Sequence, residues 1–466
     1  MKKQAESAKI ITEIKITSRY MRHMEVIMSE LALLGGTPAI QNAPTKHLFG
    51  WPIMTDEDYG AAMEVIKNNS FSGTDITEKF QNEFAEWQGR KYALAFCNGT
   101  ASLTSAMYAI GLGMGDEIIC PTKTYWGSVS QAINFGASAV FCNVDENLSL
   151  DPDDLERCIT PRTKAIMVVH YFGYPCDMDK IMAIARKHNL YVIEDLSHSH
   201  GAMYKGKKVG TFGDIAAMSM MSYKSFAAGE LGMLVTDNRK FYERALAFAH
   251  YERNNPNYIK ESEDLKPYAM IGLGGLKGRA NQVCSALGRV QLKYYDERTA
   301  EIRRAMNYFW DLLEGTPGIR PIRVDESTGS TMGGWYNPHG KYFPDELGGL
   351  SVRRFCEAVR AEGVDKCWEG GNFCLHTHAF FRDFDMFNLG KPSRIAFNDR
   401  DVRLDDEKCR PSETRFCFQA PWFKHFDKEW IETYANAFKK VAKNYEELLE
   451  GDLDKTQGGR WFGVAN

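Results

Sequence analysis

Short apolar runs alternate with segments of helical pattern through the middle of the chain. From about Tyr92 onward, seven apolar runs predict buried strands, at residues 92–97, 117–121, 139–145, 164–172, 191–195, 215–221 and 232–237. Helix-like stretches such as 101–111 and 177–189 lie between most of them. Continuous apolar strands joined by helical crossovers predict a mainly parallel sheet covered by helices on both faces. Ligands of such sheets bind beyond the carboxyl ends of the strands.

The pattern changes after about Gly315. A stretch rich in glycine and proline, residues 314–340, leads into a shorter unit with predicted helices near 351–362 and 428–449. We therefore predict three parts: an N-terminal extension over 1–30, a large α/β domain with an N-terminal arm over 31–315, and a smaller C-terminal α+β domain over 316–466.

The charge pattern argues against one class of partner. The 57 basic and 61 acidic residues give a formal net charge of −4 and are scattered along all 466 positions. Nucleic-acid binding requires a concentrated basic stripe, so we expect no nucleic-acid partner. We also expect no membrane association, because no run approaches the roughly 20 apolar residues that span a bilayer and the first thirty residues are too charged for a signal peptide.

The eleven cysteines, from Cys97 to Cys417, form neither CxxC pairs nor a His/Cys cluster at zinc spacing. We therefore expect no metal site. An odd number of cysteines without a disulfide-like framework favours a reducing cytoplasm.

The stretch CNGTAS, residues 97–102, joins a predicted strand to a predicted helix. Gly99 permits a tight turn, and the helix begins at about Ala101. Free backbone N–H groups and the helix dipole at such a junction can bind a phosphate. An ordinary helix cap is the alternative interpretation.

Asp195 ends the strongly apolar strand of VIEDLSHSHGA, residues 192–202. A carboxylate in that position is costly unless a cation meets it. A protonated pyridine nitrogen would be such a cation, and the carboxylate would keep the ring protonated as an electron sink. The alternatives are a helix cap or a metal ligand, although His198 and His200 lack an obvious third ligand nearby.

Lys224 follows another apolar strand in MSMMSYKSFAAGELG, residues 218–232. Lysines are rarely buried. A lysine buried there would lose its proton easily and could form a Schiff base with an aldehyde. Ser219, in the same segment, could donate a hydrogen bond to a phosphate. A solvated surface lysine is the alternative.

Taken together, these segments resemble a known family. Their order and residues are similar to those of the DegT/DnrJ/StrS-type sugar aminotransferases. The similarity lies in the segments NGTAS, GMGDEIICPTKTY, VIEDLSHSHGA and MSMMSYKSFAAGELGMLVTD, in this order. They are most similar to the branch that contains cyclitol aminotransferases and 3-amino-5-hydroxybenzoate synthases. The resemblance runs from about Leu31 to Leu292, with weaker similarity to about Leu449. It implies the fold type I of pyridoxal 5′-phosphate (PLP) enzymes, like that of aspartate aminotransferase, with PLP bound by the large domain.

The resemblance implies roles around the PLP ring for four residues. Lys224 matches the lysine that forms the Schiff base, and Asp195 matches the acid that faces the ring nitrogen. His198 falls where the family has Gln or His beside the ring hydroxyl. Tyr125, in PTKTY, matches the aromatic residue that stacks on the ring.

The resemblance also implies the phosphate site and a shared active site. Gly99, Thr100 and Ser219 match the phosphate donors. Arg279 matches an arginine in a segment that often reaches the neighbouring subunit, which implies a homodimer with shared active sites. Lys277 stands where many members have Asn, and Leu231 stands where the family has Gly; both departures concern the detailed binding of the phosphate.

The family implies ping-pong transamination. An amino acid, glutamate or glutamine, would pass its amino group to PLP held by Lys224. Pyridoxamine 5′-phosphate would then pass it to the ketone of a sugar, nucleotide sugar or cyclitol. His376, in the aromatic run HTHAFF, could line the substrate pocket or belong to a packed loop.

Two alternative functions stay open at this point. One is a PLP-dependent ketosugar dehydratase, whose known relatives characteristically replace the Schiff-base lysine with His. The other is a non-catalytic regulatory homologue, against which the intact Lys224, Asp195 and Ser219 argue.

Overall fold

The computed structural model describes residues 29–42, 44 and 46–453. Each of the seven predicted runs forms a strand, and these are β1 (Tyr92–Phe96), β2 (Glu117–Pro121), β3 (Ser138–Cys142), β4 (Thr163–Val169), β5 (Tyr191–Asp195), β8 (Ile215–Ser219) and β9 (Gly232–Thr236). They make one sheet in the order β1-β9-β8-β5-β4-β2-β3. Only β9 runs antiparallel to its neighbours in this sheet, so the prediction of a mainly parallel sheet is confirmed.

Helices cover both faces of the sheet, as the alternating pattern predicts. The α-helices are α1 (Lys46–Phe49), α2 (Asp56–Lys67), α3 (Asp75–Gln88), α4 (Gly99–Ala109), α5 (Pro152–Leu155), α6 (Met178–His188), α7 (Arg239–Ala249), α8 (Gln282–Leu312), α9 (Val352–Ala361), α10 (Ala379–Arg382) and α11 (Lys428–Lys443). Alternate side chains of β1 belong to different cores: Leu94 and Phe96 lie in the core that includes α4 and α7, whereas Ala93 and Ala95 lie in the core that includes α3 and α6.

A separate core, the small-sheet core, surrounds a smaller sheet. After the short hairpin of β6 (Met203–Tyr204) and β7 (Lys207–Lys208), the three-stranded sheet contains β10 (Ile319–Pro321), β11 (His339–Tyr342) and β12 (Cys417–Gln419). The 31-residue helix α8 joins the large and the small sheet, since its Tyr295 belongs to a core of the large sheet and its Ile302 to the small-sheet core. The boundary predicted near residue 315 stays a prediction, as does the extension over 1–30, most of which lies outside the described residues.

Part of the predicted C-terminal domain packs on the edge of the large sheet. The fully buried Arg394 donates a 2.7 Å hydrogen bond from Nε to the carbonyl of Ala139 in β3. Its own carbonyl accepts one of 2.6 Å from Ser138 Oγ. Asp406 holds the Arg394 guanidinium at 2.7 and 2.8 Å. Residues 372–415 therefore cover an edge strand that would otherwise expose its polar backbone.

Within the described residues, no helix has the length and apolar character that crossing a membrane requires. All eleven cysteines are free thiols.

Candidate active site at the carboxyl edge of the large sheet

Lys224 lies in the loop after β8, beside the carboxyl ends of the parallel strands. Its Nζ lies 4.2 Å from the centroid of the Tyr336 ring, and its carbonyl accepts a 2.8 Å hydrogen bond from Trp51 Nε1. The residue keeps some solvent access, but its amine end is densely surrounded. Burial lowers the pKa of the Lys224 ammonium to about 8, while the charge of Asp195 acts in the opposite direction. Such an amine gives up its proton near neutral pH, as a nucleophile or proton carrier must.

Asp195 is the last residue of β5 and is 4% exposed. Its Oδ2 accepts a hydrogen bond of 2.7 Å from Ser128 Oγ, and its Oδ1 accepts one of 3.0 Å from the backbone N–H of Ser197. A carboxylate offers about four lone-pair positions. Two donors therefore hold the buried group in place and leave positions for a cationic partner.

The predicted phosphate residues meet where β1 and β8 end on either side of β9. Gly99 begins α4 directly after the capping residue Asn98, whose side chain accepts the N–H of Ala101 at 2.8 Å. A Cβ atom at Gly99 would lie 2.5 Å from the Cβ of Ser219, so only glycine allows the turn to approach β8 this closely. The exposed Thr100 follows it. The first N–H groups of a helix have no acceptor within the helix, and the helix dipole favours an anion there.

His198 is held as a neutral ring beside Tyr336, with ring centroids 4.6 Å apart. Burial lowers the pKa of His198 well below its usual range, and the charge of Lys224 adds to this effect. The Nδ1 atom accepts a 3.3 Å hydrogen bond from the backbone N–H of Phe172. In the neutral ring this bond assigns the proton to Nε2, which is then a donor.

Tyr125 follows β2 and remains 36% exposed. Its ring lies against the backbone of Gly127, where an added Cβ atom would come within 2.7 Å of Tyr125 Cε1. The centroids of the Tyr125 and Trp126 rings are 4.9 Å apart. The structure thus leaves the phenol accessible for stacking on the same side of the sheet as Asp195.

The sequence did not point to two residues of this site, Tyr336 and Ser128. Tyr336 belongs to the glycine- and proline-rich stretch and reaches Lys224 from the small-sheet side, while burial raises the pKa of its phenol to about 12. Ser128 holds Asp195. No periodicity or motif marks either residue, because both contacts join segments far apart in the chain.

The predicted substrate and dimer residues lie around this centre at different positions. Arg279 pairs with Glu252 at 3.2 Å, and its backbone bridges to Phe96 at the end of β1, beside the phosphate turn. Lys277 is exposed. His376 is buried, and its two ring nitrogens contact Thr122 Oγ1 at 2.6 Å and Glu413 at 3.0 Å. These contacts attach His376 to the loop after β2, and no described contact joins it to Lys224.

Three residues of the types that bind metals lie close together at the end of β3, away from Lys224. Cys142, Asp154 and Cys158 have ligand atoms within 4.8 Å of one another. The Asp154 carboxylate is engaged by Arg157 at 2.5 and 2.6 Å and by the backbone of Asn143 at 2.9 Å. Its charge is thereby matched within the protein.

Known proteins share both the sequence pattern and the fold. Residues 52–342 match the DegT/DnrJ/EryC1/StrS aminotransferase family. The chain is 31% identical over 350 residues to the L-glutamine:2-deoxy-scyllo-inosose aminotransferase of Streptomyces kanamyceticus, covering 73% of this chain and 80% of that protein. It is 39% identical over 223 residues to a GDP-perosamine synthase of Escherichia coli O157:H7, covering 47% and 58%.

Among solved structures, 3-amino-5-hydroxybenzoic acid synthase superposes with a TM-score of 0.72 at 24% identity, covering 86% of this chain and all of that one. The fold is therefore that of the fold type I enzymes, and the predicted likeness to cyclitol aminotransferases and 3-amino-5-hydroxybenzoate synthases is confirmed. This chain belongs to the DegT/DnrJ/EryC1/StrS aminotransferase family.

Proposed function

We propose that this protein is a PLP-dependent aminotransferase that moves an amino group from glutamate or glutamine to the ketone of a sugar, nucleotide sugar or cyclitol. The observation that carries the proposal is Lys224, an enclosed amine with a pKa of about 8 within the electrostatic reach of Asp195. Membership of the aminotransferase family supplies the reaction class.

The residues fit PLP at three points. The phosphate would be held at the start of α4 by Gly99 and Thr100 with Ser219, where a side chain at Gly99 would fill the space against Ser219. The pyridine nitrogen would face Asp195, a buried carboxylate with lone pairs to spare. The aldehyde would be held by the amine of Lys224.

Bound PLP supplies the electron sink for the carbanion formed at the substrate carbon. Lys224 moves the proton: with a pKa of about 8, its amine is present both as base and as acid near neutral pH. The neutral His198 would offer its Nε2–H to the ring hydroxyl of bound PLP. Tyr336, against the Lys224 amine, limits the amine's movement and keeps water from one side.

The acceptor class rests on the relatives. One is named for an inosose, a cyclitol ketone, and another for a GDP-linked sugar. The first name denotes a ketone on a hydroxylated ring and the second an amino sugar, so we propose that the acceptor carries its ketone on a sugar or cyclitol ring.

Borohydride trapping tests the proposal. Reduction of the PLP-loaded protein should fix a phosphopyridoxyl group on Lys224, identified by peptide mass spectrometry, and Lys224→Ala should lose both the label and turnover. Lys208 is a matched control because burial also lowers its pKa and its Nζ lies 3.9 Å from the Trp87 ring. Lys208→Ala should keep the label on Lys224. A label on another lysine would overturn the proposal.

We further propose a cytoplasmic homodimer in which Arg279 and Lys277 reach the partner's active site. The proposal rests on the resemblance of this segment to the family segment that often reaches the neighbouring subunit; the described contacts of Arg279, with Glu252 and Phe96, lie within its own chain. Light scattering should give twice the mass of the chain, 52.8 kDa; a monomer with full turnover would contradict a shared site.

A further inference from the structure

A second lysine, Lys424, is buried close to the proposed active site. It is 3% exposed, and its Nζ forms no hydrogen bond with any described residue. The amine lies 5.2 Å from the Trp51 ring and is in close contact with the face of the Trp422 ring. Its backbone N–H is fixed at 2.9 Å by the carbonyl of Leu48. The side chain is thus buried against two indole rings, and its amine has no hydrogen-bond acceptor among the described residues.

The two tryptophans also enclose Lys224. Trp51 Nε1 donates to the carbonyl of Lys224 at 2.8 Å. Trp422 meets the ring of Tyr336 edge-on, with centroids 5.6 Å apart, and the Lys224 amine lies over that same ring. Trp51 on one route, and Trp422 with Tyr336 on the other, therefore connect the surroundings of Lys424 with those of Lys224. Trp51 and Trp422 are both only half-buried, so their rings border accessible space.

Among the residues that the structure describes, none forms an ion pair with Lys424. Glu301, which is attached to the same loop, pairs with His425 at 3.2 Å. Burial lowers the pKa of the Lys424 amine well below its usual range, and the nearby charge of Lys366 adds to the effect. Methionine would pack against the two indole rings without this desolvation cost, and a lysine gains there only the attraction between its ammonium and the rings. An anion that enters beside the amine favours its charged form and offsets this cost.

We propose that Lys424 binds an anionic group, carboxylate or phosphate, of the substrate held next to Lys224. The inference rests on the proposed function and adds a recognition residue from the C-terminal part of the chain. Two sources share this chemistry: the carboxylate of the amino donor, and a phosphate carried by the keto acceptor. The ammonium gives either one a charge-assisted hydrogen bond.

The two halves of the reaction distinguish these sources. In PLP-loaded Lys424→Met, single-turnover absorbance measured with glutamate or glutamine reports the donor half, and the same measurement with a keto acceptor reports the acceptor half. We expect the half-saturating concentration to rise about 10- to 100-fold in one half only, the range for loss of a charge-assisted hydrogen bond. Calorimetric titration with 2-oxoglutarate and with inorganic phosphate gives a second readout, in which the variant should bind one of the two anions at least tenfold more weakly.

Lys428→Met is the control, because Lys428 lies in the same segment with a side chain 67% exposed. It should change neither half by more than twofold. Lys424→Gln repeats the test with a polar neutral side chain should the methionine variant fail to fold. If the Lys424 variants keep the wild-type half-saturating concentrations and anion affinities, this inference is overturned, and borohydride labelling of Lys224 still supports the proposed function. If the wild-type protein shows no label on Lys224, both are overturned.

Discussion

Replacing Lys224 by methionine should stabilise the cofactor-free protein. Burial shifts the pKa of the lysine from 10.5 to about 8, which corresponds to about 3 kcal/mol against the charged form in the folded state. Partial solvent access of the residue and the attraction of the Tyr336 ring offset some of this cost. We therefore expect a gain of about 1–2 kcal/mol in the free energy of unfolding at pH 7.

The pH dependence identifies the cause. Below pH 8 the lysine is charged in both states, and the cost is fully present. Between pH 8 and 10.5 the folded protein has released the proton that the unfolded chain still holds, so the cost falls as pH rises and vanishes above the unfolded pKa. Urea unfolding of both cofactor-free proteins should show the variant's advantage at pH 7 and less than half of it at pH 9.5. Lys240→Met, at an exposed position of α7, should show no such change. A gain that does not vary with pH would refute the reasoning.

Two further substitutions test the cofactor site. Gly99→Ala should weaken PLP binding at least tenfold and destabilise the protein by about 1–3 kcal/mol, because the new Cβ would overlap Ser219. The control is Gly60→Ala, in a helix with open space around the new Cβ, which should be neutral or stabilising. Equal PLP titrations for the two variants would contradict the close approach of Gly99 to Ser219. Ser128→Ala should lower the free energy of unfolding by about 1–3 kcal/mol and weaken PLP binding, because the buried Asp195 loses a hydrogen-bond donor. Unfolding and PLP titration curves that match the wild type would show that the Ser128 hydrogen bond does not stabilise Asp195.

The large sheet and the centre of the site could be predicted because their signals are local. Each apolar run is long enough to mark a strand, and parallel strands bring their carboxyl ends to one edge. Lys224, Asp195 and Gly99 all follow strands of this kind. Their convergence follows from the topology once the strands are recognised, and the structure contains all seven predicted strands.

The covering of the sheet edge could not be predicted, because it depends on charges matched across distant segments. Glu117, fully buried at the start of β2, is paired with Arg400 at 2.7 Å and accepts a hydrogen bond of 2.6 Å from Thr160. A carboxylate buried this deeply requires its cation. Nothing in the local pattern around Glu117 indicates that the cation comes from the C-terminal region.

Tyr336 shows why the rest of the site escaped prediction. It lies between two non-glycine residues with left-handed backbone, Trp335 at φ 52° and Asn337 at φ 50°. Such a conformation costs about 1–3 kcal/mol, most clearly for the bulky Trp335, and persists only where surrounding contacts enforce it. Here the Trp335 side chain is fully buried, and Asn337 Oδ1 accepts a 2.7 Å hydrogen bond from Gln419. The packing of the small sheet therefore overrides the local preference of the chain and directs the Tyr336 ring to the amine of Lys224. The glycine- and proline-rich stretch in this way forms a wall of the proposed active site, and its strained backbone supports a role in positioning Lys224.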